Sequence, residues 1–183
     1  MPALAEYVKT EIVNGVEYDM SPASTKHIII QGNLFGIIRN FLKGKQCKVF
    51  TEIGVDLDED NYVIPDLLVV CDRNKITDKG IKGAPDFVVE VLSPSTRRKD
   101  ITIKKDLYER FGVKEYWIIS PKDESIEVYI LQNGKYVLDN VYHNVTSEDM
   151  EHMNEAEKAE IHVSLKISLY DDLEIQTKDI FEI

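Results

Sequence analysis

Two acidic residues stand where two apolar segments of the sequence are predicted to form buried strands. Asp66 precedes the run at residues 67–70, and Glu90 lies within the run at residues 87–92. Continuous apolar runs of this length are typical of strands that are covered on both faces. A carboxylate buried there is costly unless it is paired or binds a cation. Because Mg²⁺ prefers oxygen ligands, we expect the two acids to share one such ion.

A helix predicted over residues 98–111 carries a lysine toward the same region. With about 3.6 residues per turn, its apolar side chains form one arc, and Asp100 and Lys104 fall inside that arc. Lys105 falls outside the arc and is expected to face solvent. The arc consists of Ile103, Leu107, Tyr108 and Phe111. A buried lysine needs an anionic partner, so we expect Lys104 to point toward the two acids.

Two acids, a lysine and a divalent cation are the parts needed to hydrolyse a phosphodiester bond. The acids hold the metal, and the metal lowers the pKa of a bound water. The lysine orients that water or neutralises charge on the pentavalent transition state. The chemistry predicted from these residues is therefore cation-dependent cleavage of a nucleic-acid backbone.

The order of these residues resembles the PD-(D/E)XK nuclease superfamily, and more narrowly the Uma family of bacterial endonucleases. The matching segments are GVEYDMSPASTKH, VIPDLLVV, APDFVVEVLSPST, DITIKKDLY and GVKEYWIISP. In the standard superfamily pattern the lysine lies two residues after the acid, where this sequence has Leu92. The Uma family places its lysine on the following helix, four residues before a tyrosine. Lys104 and Tyr108 match that spacing.

The resemblance implies a mixed α/β (α+β) fold with a restriction-endonuclease-like core, in which helices flank a mixed central sheet and extra β-hairpins are added. It implies Mg²⁺, with Mn²⁺ as a substitute, held by Asp66 and Glu90 with the Val91 carbonyl as a further ligand. Lys104 would assist the water and the transition state during DNA cleavage. By analogy, two protomers facing one duplex would form a homodimer.

Three residues nearer the N-terminus are further candidates for the site. His27 lies on the inward arc of a helix predicted from about Ser24 to residue 43. The resemblance includes a histidine here, so two roles stay open: a packed core histidine, or a site histidine that touches the scissile phosphate or an acid. Superfamily sites sometimes use an extra acid, which Glu11 or Glu52 could supply. A solvated acid on a strand face is the simpler interpretation of each.

Length and composition predict one domain over residues 1–183. The chain is 43% hydrophobic, which is enough for a substantial core. No apolar run has membrane-spanning length, and residues 1–15 lack the pattern of a signal peptide. Cys47 and Cys71 lack metal-ligand neighbours, so we expect two buried reduced thiols. These features predict a cytoplasmic protein with no membrane partner.

The net charge of −11 and the pI near 4.8 oppose bulk attraction to DNA. Cations are nevertheless frequent around the predicted site, which indicates a local basic rim. They are Lys75, Lys79, Lys82, Arg97, Arg98, Lys99, Lys104 and Lys105. A non-catalytic binding or regulatory module that keeps the nuclease fold stays open as the alternative. A paired-carboxylate glycosidase is disfavoured, because that chemistry does not need an inward lysine.

The remaining elements are predicted from alternation and turn residues. We expect a hairpin at residues 11–20 that turns at Asn14-Gly15, and a second hairpin that turns at Asn133-Gly134. Further strands are predicted at residues 48–57, 62–71, 84–92, 114–120 and 161–170, with a loop at 72–83 and a short helix near 147–158.

Overall fold

The computed structural model describes residues 9–183, which form a mixed α/β fold. The strands are β1 (Thr10–Val13), β2 (Val16–Asp19), β3 (Lys48–Thr51), β4 (Val55–Asp58), β5 (Asn61–Val63), β6 (Leu67–Val70), β7 (Ile76–Thr77), β8 (Gly80–Lys82), β9 (Phe87–Val91), β10 (Glu115–Ser120), β11 (Ser125–Gln132), β12 (Lys135–His143), β13 (Ser164–Lys166) and β14 (Glu174–Gln176). The α-helices are α1 (Thr25–Phe41), α2 (Lys105–Phe111), α3 (Ser147–His152), α4 (Glu155–Glu160) and α5 (Thr177–Phe181).

Two mixed sheets carry most of these strands. The first sheet has the order β2-β1-β5-β4-β8-β7, and the second has the order β12-β11-β10-β9-β6-β3. In the second sheet β9 and β10 are parallel, whereas β6 pairs with β9 in the antiparallel direction. Strands β13 and β14 form a separate antiparallel pair. The mixed α/β class predicted from the sequence is therefore observed.

The second sheet is covered on both faces, which explains the continuous apolar runs in its central strands. Alternate side chains point to opposite faces of a strand. Odd-numbered residues such as Val89 pack with α1 and α5, and even-numbered residues such as Val88 pack with α2 and the first sheet. By the same alternation, Asp66 and Glu90 are directed to the face that α2 covers.

The predicted N-terminal hairpin and the first helix are present. Asn14 and Gly15 both have positive φ (52° and 74°), as a tight two-residue hairpin turn requires. The side chain of Ser24 accepts the His27 N–H and caps α1. The local sequence therefore determines where both elements begin.

Two of the predicted strands are wrong, because each is divided between the two sheets. The segment at residues 48–57 becomes β3 and β4, and the chain bends at Glu52, which has a φ of 48°. The segment at residues 62–71 becomes β5 and β6 and changes sheets around Pro65. The Glu52 N–H lies 3.2 Å from the Pro65 carbonyl and 3.4 Å from the Asp66 carbonyl, so the two crossings are side by side. Short-range alternation cannot reveal such a crossing.

The predicted helix at residues 98–111 begins with a π-helical turn, Lys99–Lys104, before it continues as α2. Two side-chain hydroxyls donate hydrogen bonds to backbone carbonyls that accept backbone N–H groups in a regular α-helix. The Tyr116 hydroxyl donates to the Asp100 carbonyl at 3.0 Å, and the Thr102 hydroxyl donates to the Arg98 carbonyl at 2.5 Å. Side chains that insert in this way widen a helical turn. Gly112, in the left-handed conformation, ends α2.

The prediction of two reduced thiols is wrong. Cys47 and Cys71 form a disulfide with a sequence separation of 24 residues. The two cysteines flank the antiparallel pair β3 and β6, in which Lys48 faces Val70, so the strand register brings them opposite each other. Their spacing along the chain carries no sign of this register.

The outer segments also differ in detail from the prediction. Residues 72–83 were expected to form a loop but contain a 3₁₀ turn, Arg73–Lys75, together with β7 and β8. The single helix expected near residues 147–158 is two helices, α3 and α4, each with its own capping box. None of the helices within residues 9–183 combines the length and apolarity that a membrane crossing requires. The expectation of no signal peptide rests on residues 1–15, of which 1–8 lie outside the described residues.

Reduction of the Cys47–Cys71 disulfide is expected to lower the free energy of unfolding. A cross-link that closes a loop of 24 residues stabilises the folded state by about 3 kcal/mol in the chain-entropy model. Urea unfolding with and without a phosphine reductant measures this difference, and a Cys47→Ser/Cys71→Ser variant should not respond to the reductant. Detection of two free thiols in the folded, unreduced protein would contradict the disulfide.

Candidate active site

A cavity of about 570 Å³ brings the predicted site residues together. Its wall includes Asp66, Glu90, Val91, Lys104 and His27, which come from the start of β6, from β9, from the π-helical turn and from α1. Five further charged residues line the same cavity. They are Lys9, Glu11, Glu52, Lys99 and Asp100. Lys104 and Glu11, which are 93 positions apart along the chain, therefore meet in one place.

Lys104 is buried, with 2% of its surface exposed. Its ammonium lies 2.5 Å from Glu90 Oε1, 2.8 Å from Glu11 Oε1 and 4.0 Å from Asp100 Oδ1. Burial alone would lower the pKa of Lys104, but these carboxylates outweigh it and raise the pKa well above its ordinary value. The lysine is therefore a fixed positive charge inside the protein. Lys105 is only partly buried, and its ammonium lies 3.7 Å from the centre of the Tyr129 ring.

Glu90 occupies the middle of β9 and is 3% exposed. Its Oε1 atom accepts the Tyr108 hydroxyl at 2.7 Å and also contacts the Lys104 ammonium. Burial raises the pKa of Glu90 well above its ordinary range, although Lys104 acts in the opposite direction. The ionised form of this carboxyl therefore needs positive charge beside it. The Tyr108–Glu90 contact fixes the carboxyl against α2.

Contacts of Asp66 link the start of β6 to the neighbouring strand β9 and to α1. Its Oδ2 atom accepts the Val91 backbone N–H at 2.7 Å, and its Oδ1 atom lies 3.2 Å from His27 Nε2. Gln31, one helical turn after His27, donates to the Asp66 backbone carbonyl at 2.6 Å. These contacts hold the start of β6 directly beside the strand that carries Glu90.

His27 faces the cavity with only 7% of its surface exposed. Burial would lower the pKa of His27, but the hydrogen bond and the charge of Asp66 raise it. Its Nδ1 atom is buried and has no hydrogen-bond partner among the described residues. An unpaired buried nitrogen is costly, so its presence in the wall of a cavity marks a position where a ligand could bind.

Glu11 is not the solvated acid that its strand position indicated. It is 1% exposed, and each of its carboxylate oxygens contacts a lysine: Oε1 contacts Lys104 at 2.8 Å and Oε2 contacts Lys99 at 2.6 Å. The Oε1 atom also accepts the Ile64 N–H at 2.9 Å. Burial opposes ionisation, but the two lysines lower the pKa of Glu11 to about 2. The first sheet thus contributes a buried anion to the site.

Two other acids in the wall differ in burial. Asp100 is 2% exposed, and burial raises its pKa while Lys104 opposes that shift. In the sequence, only the place of Asp100 inside the apolar arc of the predicted helix indicates that it is buried. Glu52 is exposed and pairs with Lys9. Burial therefore separates a protected acidic cluster from an ordinary surface ion pair.

Replacement of Lys104 by methionine is expected to cost about 3 to 5 kcal/mol of folding free energy, because it leaves buried carboxylates without their cation. Lys105→Met is the matched control. That change removes one contact with an aromatic ring and should cost less than about 1 kcal/mol. Urea unfolding of both variants at neutral pH gives the comparison. Equal stabilities of the two variants would contradict the buried ion cluster.

The depressed pKa of Glu11 predicts a stability that depends on acid pH. Glu11 titrates near 4.5 when unfolded and near 2 when folded, so its contribution is present above pH 4.5 and is lost as the pH falls toward 2. Between about pH 5 and pH 3 the wild type should lose about 2 kcal/mol more than Glu11→Gln. Urea unfolding at the two pH values measures this, and parallel losses in both proteins would disprove it.

Comparison with known proteins relates this chain to a family. Residues 1–163 match the model of the Uma2 family. A Synechocystis sp. protein that is described as uncharacterized is 31% identical over 124 residues, which cover 66% of this chain and 65% of that protein. The match therefore spans slightly less than two thirds of the relative's length.

Two solved structures resemble the chain to different degrees. The crystal structure of "a putative nuclease belonging to DUF820" from Anabaena variabilis has a TM-score of 0.71 and 21% identity, covering 94% of this chain and 89% of that chain, which shows a common fold. Part of the DrdV–DNA complex covers 57% of this chain and 9% of that chain at 15% identity, and its TM-score of 0.35 is too low to carry an argument. The family match over most of the sequence shows that the chain belongs to the Uma2 family, which is described as "Putative restriction endonuclease".

Proposed function

We propose that this protein is a metal-dependent endonuclease that hydrolyses phosphodiester bonds in DNA. The observation that carries the proposal is the Lys104 ammonium, which lies 2.5 Å from the buried Glu90 carboxylate in the wall of a cavity that Asp66 also lines. A buried lysine of this kind has no use in the packing of a core, since its burial must be compensated by several acids. Membership of the Uma2 family supports the same chemistry.

The chemistry of the donor set fits a hard divalent cation. Within residues 9–183 no three His, Cys, Asp or Glu side chains are arranged as a metal-ligand group. In this proposal the cation would be held by Asp66 and Glu90, with the Val91 carbonyl as a further ligand, and would keep several waters. Mg²⁺ characteristically binds through one or two carboxylates and retains water, and Mn²⁺ could replace it. When bound, the cation would supply a water of lowered pKa and would neutralise charge on the phosphoryl oxygens.

The chain's own residues would act around that position. Lys104 stays protonated because of its carboxylate neighbours, so its ammonium can donate a hydrogen bond to the attacking water or to a phosphoryl oxygen. Tyr108 holds Glu90 in place through its hydroxyl. The hydrogen bond between the Val91 N–H and Asp66 fixes the separation of the two strands that carry the acids. Such fixed positioning lowers the barrier of a reaction between bound groups.

His27 is a candidate phosphate contact at the other side of Asp66. The neighbouring carboxylate favours its protonated form, in which Nδ1 carries a proton that no described residue accepts. A phosphate oxygen would satisfy that donor. His27 therefore serves binding of the scissile group in this proposal, and the metal is held by the carboxylates.

A short basic segment lies beside the residues that line the cavity. Arg97 and Arg98 are exposed and lie between Thr96 and Lys99, both of which line the cavity. They give a local attraction for a phosphate backbone on a chain whose net charge is −11. Because counterion release scales with the number of phosphates contacted, this small rim supports weak, salt-sensitive binding of DNA.

The arrangement of the second sheet supports a restriction-endonuclease-like core. Glu90 lies on β9, Asp66 immediately precedes the neighbouring strand β6 of the same mixed sheet, and α1 and α2 cover opposite faces of that sheet. Pairing of two protomers across one duplex remains part of the proposal by analogy with nucleases of this fold. The acidic net charge favours a second candidate, a non-catalytic binding module that keeps the same fold.

Plasmid cleavage tests the proposal. With Mg²⁺ or Mn²⁺, the wild type should convert supercoiled DNA to nicked or linear forms, and a chelator should abolish this. Asp66→Ala, Glu90→Ala and Lys104→Ala should each lower the rate by at least about 100-fold, because each removes a charge placed at the reacting group. Each variant is first shown to be folded at the assay temperature by its thermal unfolding curve.

Asp106→Ala is the matched control, because Asp106 is an exposed acid in the first turn of α2. It should cleave at the wild-type rate. Cleavage that survives all three site substitutions would arise from a contaminant or from another site and would end the assignment. A wild type that binds DNA but cleaves none under any of these conditions would favour the binding module.

A further inference from the structure

Glu11 is the least accessible acid of the cavity and has no role in the proposed chemistry so far. Both of its oxygens are engaged: Oε1 contacts Lys104 at 2.8 Å, and Oε2 contacts Lys99 at 2.6 Å. The Ile64 N–H adds a third contact, at 2.9 Å from Oε1. This carboxylate is therefore fixed from three directions by the first sheet and the π-helical turn.

The π-helical turn explains how two lysines reach one carboxylate. Lys99 and Lys104 are five residues apart, and in an α-helix this spacing would direct them to different sides. In a π turn the hydrogen bonds join residues five apart, so side chains with that spacing lie one above the other. The Tyr116 hydroxyl that occupies the Asp100 carbonyl helps to maintain the turn. The π-helical geometry thus allows Lys99 and Lys104 to contact Glu11 together.

Lys104 is shared between two acids with different positions in the cavity. Its ammonium contacts Oε1 of Glu90 and Oε1 of Glu11. A cation held by the Glu90 carboxylate would weaken the contact between that carboxylate and the ammonium, since two positive charges close together repel each other. Glu11 offers the ammonium a second anchor, which a cation at Glu90 would leave intact.

We propose that Glu11 is a positioning residue that holds the Lys104 ammonium in the cavity independently of Glu90, so that the lysine keeps its place when a cation binds. The inference rests on the proposed function for its catalytic consequence. The contact by which Glu11 holds Lys104 does not depend on any metal. Lys99 neutralises the second oxygen of Glu11, so that the carboxylate is held in place without a full unpaired charge.

The test measures the Lys104 ammonium directly by its ¹H–¹⁵N correlation in the metal-free protein, assigned by its absence in Lys104→Met. A buried, hydrogen-bonded ammonium exchanges its protons slowly and gives a visible signal. In Glu11→Gln the proton exchange should be at least about tenfold faster, or the signal should broaden beyond detection. Glu52→Gln removes an acid from the same cavity that pairs with Lys9, and its Lys104 signal should match the wild type.

A second variant guards against failure of Glu11→Gln to fold. Glu11→Gln/Lys99→Gln removes one charge of each sign and lets the two amides pair, and it should give the same loss of the Lys104 signal. A Lys104 signal of wild-type intensity and exchange rate in either folded variant would overturn the proposal.

Kinetics separate positioning from a merely structural role. In Glu11→Gln, kcat for plasmid cleavage should fall at least about tenfold, while KM for DNA changes less than about twofold, because misplacement of one group affects the reaction more than binding. A raised KM with unchanged kcat would overturn the positioning role. If the wild type neither binds a cation nor cleaves DNA, the nuclease assignment fails, whereas the ammonium signals still decide whether Glu11 fixes Lys104.

Discussion

The structure depends on one electrostatic constraint, which is the burial of the Lys104 ammonium among carboxylates. A lone charge at this depth would be expelled or neutralised, and three acids around a single lysine would repel one another without it. Glu11 and Glu90 satisfy the ammonium directly, and Lys99 compensates the excess negative charge at Glu11. The cluster is therefore stable only as a unit, and it has more acid than its two lysines neutralise. The proposed binding of a divalent cation rests on this excess of acidic groups.

Irregular parts of the fold bring the members of this cluster together. The chain crosses between the sheets at Glu52 and again at Pro65, and the second crossing places Asp66 at the start of a buried strand. The π-helical turn directs Lys99 and Lys104 to one side. Regular elements, by contrast, supply rigidity: β9 lies between β6 and β10, and α1 covers one face of all three. Positions that break local rules and lie beside a cavity are characteristic of functional sites.

Sequence reasoning identified the parts whose signal is local. The apolar run around Glu90 indicates a buried acid, helical spacing indicates that Lys104 points inward, and both are observed, whereas Asp66 is only half-buried. It failed wherever long-range pairing decides the outcome. Glu11 looks like an ordinary strand acid, because its partners Lys99 and Lys104 lie about 90 residues away, and only the packing of β1 against the π-helical turn brings them together. Cys47 and Cys71 likewise become partners through the register of two strands.

In the proposed mechanism Asp66 and Glu90 bind a divalent cation beside a lysine that keeps its position. Anomalous diffraction from crystals grown with Mn²⁺ would locate such a cation. We expect one strong anomalous peak within coordination distance of both carboxylates, with the Lys104 ammonium still in contact with Glu11. Absence of a peak at saturating Mn²⁺, or a peak at other residues with Lys104 still bound to Glu90, would contradict it.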